Sequence, residues 1–266
     1  MRVAILDVSV DELEAAKAKL EAVAPADQLL AQECNVVKPE DCVAAAKAVE
    51  GFCGGDKIAF LFNNAGIQGP SGAGGIIADP SPDTIAAWQT IFNVNVFGQV
   101  NILKAFAPAM IAAGPLASGK KAFIVTTSSV VGLLNHVVGP YSISKMAATA
   151  VCEQFSLELQ QMGSAAEHVS AHSLHPTVAA TNFLTARGDD GTQTSGDTLK
   201  NGIAAVGGFT AEDIISGLFS GLEENRCVPV TSSQFFYVRC AAVVDIPQLR
   251  RSHAWNALGH RIALQI

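Results

Sequence analysis

A tyrosine and a lysine lie four residues apart at the start of a predicted helix, in the stretch Tyr141-Ser142-Ile143-Ser144-Lys145. On a helix, that spacing places both side chains on one face. A phenol with a pKa near ~10 is a poor acid-base catalyst at neutral pH unless a nearby charge stabilises the phenolate. An ammonium about 4.5 Å away, at an effective dielectric of roughly 20, would contribute on the order of 4 kcal/mol. We therefore predict that Lys145 lowers the pKa of Tyr141 into the catalytic range.

The Tyr-x-x-x-Lys spacing also fits an ordinary surface pair on a helix, so the neighbouring segments decide between the two interpretations. Those segments are Leu61-Phe62-Asn63-Asn64-Ala65-Gly66, Val94-Asn95-Val96-Phe97-Gly98, Val125 to Gly132, and His175-Pro176 with Thr181. In this order and at these separations they resemble the short-chain dehydrogenase/reductase family, from about residue 3 to about residue 231. The resemblance implies an α/β fold, with one Rossmann-like, doubly wound parallel sheet as a single domain over residues 1–266. It also implies a substrate lid at about residues 182–209.

The resemblance implies a catalytic set for an oxidoreductase that interconverts an alcohol and a carbonyl. Tyr141 would exchange a proton with the substrate oxygen, and Lys145 would support the tyrosine and bind the nicotinamide ribose. The main chain of Asn95 would hold an ordered water that links the lysine to solvent. A serine would hold the carbonyl oxygen: the Ser-Ser-x-x-Gly pattern selects Ser129, whereas the spacing to the tyrosine selects Ser128. We assign Ser129, because the loop before the tyrosine can absorb a deletion.

The cofactor implied by the resemblance is NAD(H), with NADP(H) less favoured. Asp7 ends a predicted strand, where it would accept hydrogen bonds from the adenine ribose and repel a 2′-phosphate; a strand-end aspartate that merely faces water is the alternative. Asn35 stands where the family has aspartate beside the adenine. The small residues in Asn64-Ala65-Gly66, which follow the strand predicted at 58–62, would let the backbone approach a ligand closely. The predicted cofactor-binding residues are Asp7, Asn35, Val36, Asn64, Ala65, Gly66, Tyr141, Lys145, Ala179 and Thr181.

One family feature is missing from the sequence. The family normally begins with a strand and a Thr-Gly-x-x-x-Gly-x-Gly turn, which places a pyrophosphate at a helix N-terminus, and no such turn precedes Val3. We therefore expect an N-terminally truncated family member with a break in the middle of its sheet. The alternative function is an impaired or non-catalytic member that binds cofactor poorly. A serine hydrolase is disfavoured, because the sequence has no Gly-x-Ser-x-Gly turn.

Composition limits the partners. The chain has 266 residues, 49% of them apolar, and a net charge of -7. Without a basic cluster, this balance argues against nucleic acid or an anionic membrane as a partner, and leaves a small alcohol or carbonyl substrate. Neither a signal peptide nor an apolar run of membrane-spanning length is predicted, so we expect a cytoplasmic protein. The resemblance implies a homodimer or homotetramer formed through the helices that carry Asn95 and Tyr141.

Cysteine and histidine residues do not indicate a metal site. The six cysteines include no Cys-x-x-Cys pair and are expected to be reduced. His168, His172 and His175 fall on a predicted strand without an obvious carboxylate ligand, so no metal is predicted.

Hydrophobic periodicity and capping patterns predict alternating strands and helices. The predicted strands cover residues 3–8, 29–36, 58–62, 122–125, 169–174 and 227–231. The predicted helices cover residues 9–22, 41–52, 84–113, 141–162 and 210–223, and the remainder to 266 is expected to be helical.

Overall fold

Strands and helices alternate along the chain in a computed structural model that describes residues 1–69, 74–77, 81–134, 139–176, 210–224 and 237–240. The strands are β1 Val3–Asp7, β2 Leu29–Glu33, β3 Phe60–Asn63, β4 Ala122–Thr127, β5 Val169–His175 and β6 Tyr237–Cys240. The helices are α1 Val10–Glu21, α2 Pro39–Cys53, α3 Pro82–Phe92, α4 Gln99–Ala112, α5 Pro140–Gln161 and α6 Ala211–Glu224. A π-helical segment, Asn93–Gly98, joins α3 to α4. This is the mixed α/β, Rossmann-type architecture that the sequence predicted.

The strands of the described residues form two sheets, in the orders β1-β2 and β3-β4-β5-β6. All pairs are parallel except β5 with β6. The strand predicted at 227–231 lies outside the described residues, and the helix predicted beyond it is corrected at residues 237–240. Residues 237–240 instead add a strand to the open edge of β5, as the β-forming Tyr237-Val238 pair favours.

The two sheets are separated between β1 and β3, which do not pair within the described residues. The apolar residues of both strands are only half-buried, whereas β4 and β5 are almost entirely buried. The two halves nevertheless share a core: Ala4 and Leu6 of β1 and Leu61 of β3 pack against one cluster, which includes Phe106 of α4. The separation lies where the sequence predicted a break.

Two predicted helix starts are confirmed. Ser9 caps α1, because its Oγ accepts a hydrogen bond from the Glu12 backbone N–H at 3.3 Å. Thr210 and Asp213 cap α6 reciprocally: Asp213 N donates to Thr210 Oγ1 at 3.1 Å, and Thr210 N donates to Asp213 Oδ2 at 2.9 Å.

Helix α3, the π-helical segment and α4 form one continuous helix, Pro82–Ala112, of 31 residues. The sequence pattern predicted this helix but no apolar run of membrane-spanning length. That expectation is corrected, since the helix is long and apolar enough to cross a bilayer by length and composition alone. Half of its most apolar stretch of 18 residues is buried inside the protein.

Candidate active site

Ser129 and Tyr141 come together where β4 ends and α5 begins. Helix α5 starts sharply, because Gly139 has a φ of 110° and Pro140 occupies the first turn. Ser129 precedes a short 3₁₀ turn and caps it, with its Oγ accepting from the Val131 backbone N–H at 3.4 Å. Its Oγ also donates to the Pro176 carbonyl at 3.4 Å, and the side chain lies close enough to Tyr141 to lower the tyrosine pKa. The two hydroxyls that would act on a carbonyl oxygen are therefore adjacent.

Ser128 has a different environment from Ser129. Its Oγ donates to the Lys145 carbonyl at 2.7 Å and lies 2.8 Å from Thr149 Oγ1, both on α5. Gly132 packs directly on this contact, and a Cβ there would overlap Ser128 Oγ. Ser128 thus ties β4 to α5 and is turned into the protein interior, where it is 2% exposed.

Lys145 is the charged group of the site. It is 2% exposed, and its Nζ donates to the Thr127 carbonyl at 3.1 Å. The same Nζ lies 5.8 Å from the centroid of the Tyr141 ring. Burial lowers the pKa of Lys145 to about 8, because desolvation disfavours the ammonium.

The pKa of Tyr141 does not follow the sequence prediction. Burial raises this pKa to about 12, while the adjacent Ser129 side chain acts in the opposite direction. Lys145 does not offset the desolvation: its ammonium is bonded to the Thr127 carbonyl, and its own charge is disfavoured by burial. The protein's own groups therefore keep Tyr141 protonated at neutral pH.

Asn95 lies in the π-helical segment and is fully buried. Its side chain clamps the Ile67 backbone, since Oδ1 accepts from Ile67 N and Nδ2 donates to Ile67 O, both at 2.8 Å. Nδ2 also donates to Ser144 Oγ at 3.0 Å, and Ser144 Oγ donates to the Tyr141 carbonyl at 2.7 Å. Asn95 therefore connects the loop after β3 to the catalytic helix.

Gly66 lies against two of these residues. A Cβ at Gly66 would be 3.1 Å from Lys145 Nζ and 3.2 Å from Asn95 Oδ1. The predicted cofactor-binding run Asn64-Ala65-Gly66 is thus beside the predicted catalytic lysine, with Asn64 half-buried and Ala65 exposed. A side chain at Gly66 would crowd Lys145 and Asn95, so the glycine allows the loop after β3 to pack directly against the lysine.

The other predicted cofactor residues follow β1 and β2. Asp7 is exposed, and its Oδ1 accepts from the Ser9 backbone N–H at 2.9 Å. Asn35 Oδ1 accepts from Val37 N at 3.0 Å, so this side chain shapes its own turn. The Val36 carbonyl accepts from Asn101 Nδ2 of α4 at 2.9 Å, which joins the end of β2 to the catalytic half.

Two predicted cofactor residues, Ala179 and Thr181, and the predicted lid at 182–209 lie outside the described residues. Sequence reasoning missed three buried polar residues that support the site: Ser144, Gln99 and His175. His175 Nδ1 lies 3.0 Å from the Ser129 carbonyl, and its Nε2 lies 2.8 Å from Ser173 Oγ. Nothing in the sequence identifies the bonds from Asn95 to Ser144, from Gln99 to Thr127 and between His175 and Ser129, because each joins segments at least 28 residues apart.

The comparisons with known proteins identify the family. A family model described as short chain dehydrogenase matches residues 1–191. Sulfoacetaldehyde reductase of Chromohalobacter salexigens is 32% identical over 219 residues, which cover 79% of this chain and 73% of that protein. Cyclohexanol dehydrogenase of an Acinetobacter species is 29% identical over 179 residues, 66% of this chain and 64% of that protein.

A solved structure of similar shape is a short chain dehydrogenase/reductase from Burkholderia phymatum in complex with NAD. It superposes with a TM-score of 0.65 and 26% identity, covering 84% of this chain and 76% of that one. The chain belongs to the short-chain dehydrogenase/reductase family and is an oxidoreductase of the class that acts on alcohols and carbonyls.

Proposed function

We propose that this protein is an NAD(H)-dependent oxidoreductase that interconverts a small alcohol and its carbonyl compound at Ser129, Tyr141 and Lys145. The observation that carries the proposal is the placement of the Ser129 side chain beside Tyr141, whose pKa it lowers, with the Lys145 ammonium 5.8 Å from the tyrosine ring. A carbonyl oxygen placed between the two hydroxyls would receive two hydrogen bonds, and charge that develops on it would be stabilised.

Each residue has a role that its environment supports. Tyr141, held as a phenol by burial, donates its proton to the carbonyl oxygen during reduction and recovers it during alcohol oxidation. Ser129 holds the same oxygen. The Lys145 ammonium stabilises the negative charge that Tyr141 acquires when it loses its proton. The same ammonium donates hydrogen bonds to the nicotinamide ribose. Asn95 fixes the loop after β3, and its main chain holds the water of a proton relay.

NAD(H) supplies the hydride that the carbonyl carbon accepts or returns. The residues that would hold it are Asp7 at the ribose, Asn35 and Val36 at the adenine, and Asn64 to Gly66 beside Lys145. The close packing of Gly66 against Lys145 supports this placement. Within the described residues, Asp7 Oδ2 makes no hydrogen bond, so it is available to a ribose hydroxyl. A carboxylate there favours NAD(H), because it repels a 2′-phosphate.

The test is a rate measurement on the purified chain with NADH and a panel of small aldehydes and ketones, including sulfoacetaldehyde and cyclohexanone. NADH oxidation that depends on one of these compounds, and that is lost in Tyr141→Phe, would support the proposal. Turnover that Tyr141→Phe retains in full would contradict the assigned chemistry.

The second candidate is a family member that retains the catalytic groups but binds cofactor poorly. The observation in its favour is the separation between β1 and β3 within the described residues, at the place where the family binds the pyrophosphate. Losing two charge-assisted bonds to a pyrophosphate would reduce affinity by about 3 to 6 kcal/mol, which moves a micromolar dissociation constant to the millimolar range. Calorimetric titration of NADH separates the candidates: millimolar binding favours the second and micromolar binding favours the enzyme.

A further inference from the structure

We propose that Gln99 is a positioning residue for Lys145, because it holds in place the Thr127 carbonyl that receives the lysine ammonium. This inference rests on the proposed function, in which Lys145 is a catalytic residue. Gln99 itself contacts neither Tyr141 nor Ser129 by a hydrogen bond within the described residues, so its effect would pass through Lys145.

The geometry joins the two side chains at one atom. Gln99 Nε2 donates to the Thr127 carbonyl at 3.0 Å, and Lys145 Nζ donates to the same oxygen at 3.1 Å. A carbonyl oxygen has two lone pairs, so these two donors saturate it. Gln99 is 1% exposed, and Lys145 is 2% exposed. Water therefore does not replace either donor readily.

The orientation of the Gln99 amide follows from its partners. If the amide were turned over, Oε1 would face the Thr127 carbonyl, and two acceptors would oppose each other. In the observed orientation Oε1 is buried and has no hydrogen-bond partner in the described part of the chain. Burying an acceptor such as Oε1 without a hydrogen-bond partner costs roughly 1 to 3 kcal/mol. The hydrogen bond from Nε2 to the Thr127 carbonyl has to offset this cost. The bond to Thr127 is the polar contact of this side chain.

Gln99 is itself fixed from a second direction. Asn63, at the end of β3, is 2% exposed and donates from Nδ2 to the Gln99 carbonyl at 3.0 Å. The chain of contacts therefore runs from β3 through the first turn of α4 to the end of β4 and then to α5. Two strand ends and two helices set the position of one ammonium group.

Within the described residues, no charged neighbour contributes to the lowered pKa of Lys145. Its pKa is lowered by desolvation alone, and the nearest titratable side chain on the same helix is Tyr141. A carboxylate at position 99 would therefore place a negative charge near the ammonium, through the Thr127 carbonyl that both side chains contact. The pKa of Lys145 is therefore a direct measure of the effect of substituting Gln99.

The experiment compares Gln99→Met and Gln99→Glu with the unmodified chain and with Ile102→Val. Ile102 is a buried α4 residue one turn from Gln99, so its substitution perturbs packing without touching the Thr127 carbonyl. The pKa of Lys145 is read by NMR of ¹³Cε-labelled lysine, with Lys145→Met assigning the signal. Rates with NADH and the best carbonyl substrate give kcat and KM.

We expect Gln99→Glu to raise the pKa of Lys145 by about 1 to 2 pH units, because an opposite charge favours the ammonium. Gln99→Met should lower that pKa by about 0.5 pH units, because the ammonium loses a fixed acceptor. It should also reduce kcat about tenfold with KM within about twofold, since the geometry of the reacting groups is disturbed. Ile102→Val should leave both the pKa and kcat unchanged.

The proposal is overturned if folded Gln99→Glu and Gln99→Met both keep the unmodified pKa of Lys145, or if Ile102→Val loses as much kcat as Gln99→Met. Melting curves identify a variant that does not fold, in which case the other variant decides. If the unmodified chain shows no turnover with any substrate, the proposed function fails, but the NMR titration still tests the link between Gln99 and Lys145.

Discussion

Lys145 Nζ lies 5.8 Å from the centroid of the Tyr141 ring, yet it donates its hydrogen bond to the Thr127 carbonyl. The two residues have opposite pKa displacements, with the pKa of Lys145 at about 8 and that of Tyr141 at about 12. The lysine therefore loses its proton well before the tyrosine as the pH rises. At neutral pH the pair consists of an ammonium and a phenol, which is the state needed to donate a proton to a carbonyl.

Tyr141→Phe should reduce turnover by about 10² to 10⁴-fold, because it removes the proton that is transferred. NADH affinity should change by less than about twofold, since the ring and its packing remain. Steady-state rates and a fluorescence titration of NADH measure the two effects. Unchanged turnover would eliminate Tyr141 as the acid.

Ser129→Ala and Ser128→Ala should have different consequences, although the residues are adjacent. Ser129→Ala should lower kcat by about 10² to 10³-fold with little loss of stability, because it removes a donor to the substrate oxygen. Ser128→Ala should lower the free energy of unfolding by about 1 to 3 kcal/mol, since it breaks buried bonds to Lys145 O and Thr149. Urea unfolding and rate measurements on both variants test this, and the reverse pattern would assign catalysis to Ser128.

The buried lysine should make stability depend on pH. The pKa of Lys145 is about 8 in the folded protein, against 10.5 for a lysine in water, so between these values the unfolded chain binds more protons. The free energy of unfolding should therefore rise with pH across this window, by about 3 kcal/mol relative to Lys145→Met, and this stabilisation is lost as the pH falls through 8. Unfolding curves of both proteins at about pH 7.5, 9 and 10.5 provide the measurement. Parallel pH profiles would show that Lys145 is not desolvated.

Asp7→Ala should narrow the preference for NADH over NADPH, because it removes the charge that repels the 2′-phosphate. Dissociation constants for both cofactors, measured before and after the substitution, test this expectation. Asp11→Ala, which removes an exposed acidic residue in the first turn of α1, serves as a control for net charge. Equal affinities for NADH and NADPH in the unmodified chain would show that Asp7 faces solvent and does not select the cofactor.

The alternation of strands and helices could be predicted from the sequence, because apolar runs and capping patterns are local. Ser9 and Glu12, which lie within one turn of each other, are enough to locate the start of α1. The pairing of Gln99 with Thr127 could not be predicted, because a glutamine in a helix has no sequence signal for a carbonyl 28 residues away. The pKa of Tyr141 was predicted wrongly, because a pairwise estimate from spacing omits the desolvation of both groups.

The separation of the two sheets has a consequence for local unfolding. Residues 1–53 contain β1, α1, β2 and α2, and the contacts that join them to the rest include side-chain packing in the core shared with Leu61 and α4, the bond from Asn101 to Val36, and the ion pair of Arg2 with Asp56. Because β1 and β3 do not pair within the described residues, this unit should open independently of the segment that carries β4, β5 and α5. Amide hydrogen exchange should accordingly be faster in β1 and β2 than in β4 and β5. The adenine end of the proposed cofactor site would then unfold first, while Ser129, Tyr141 and Lys145 keep their relative positions.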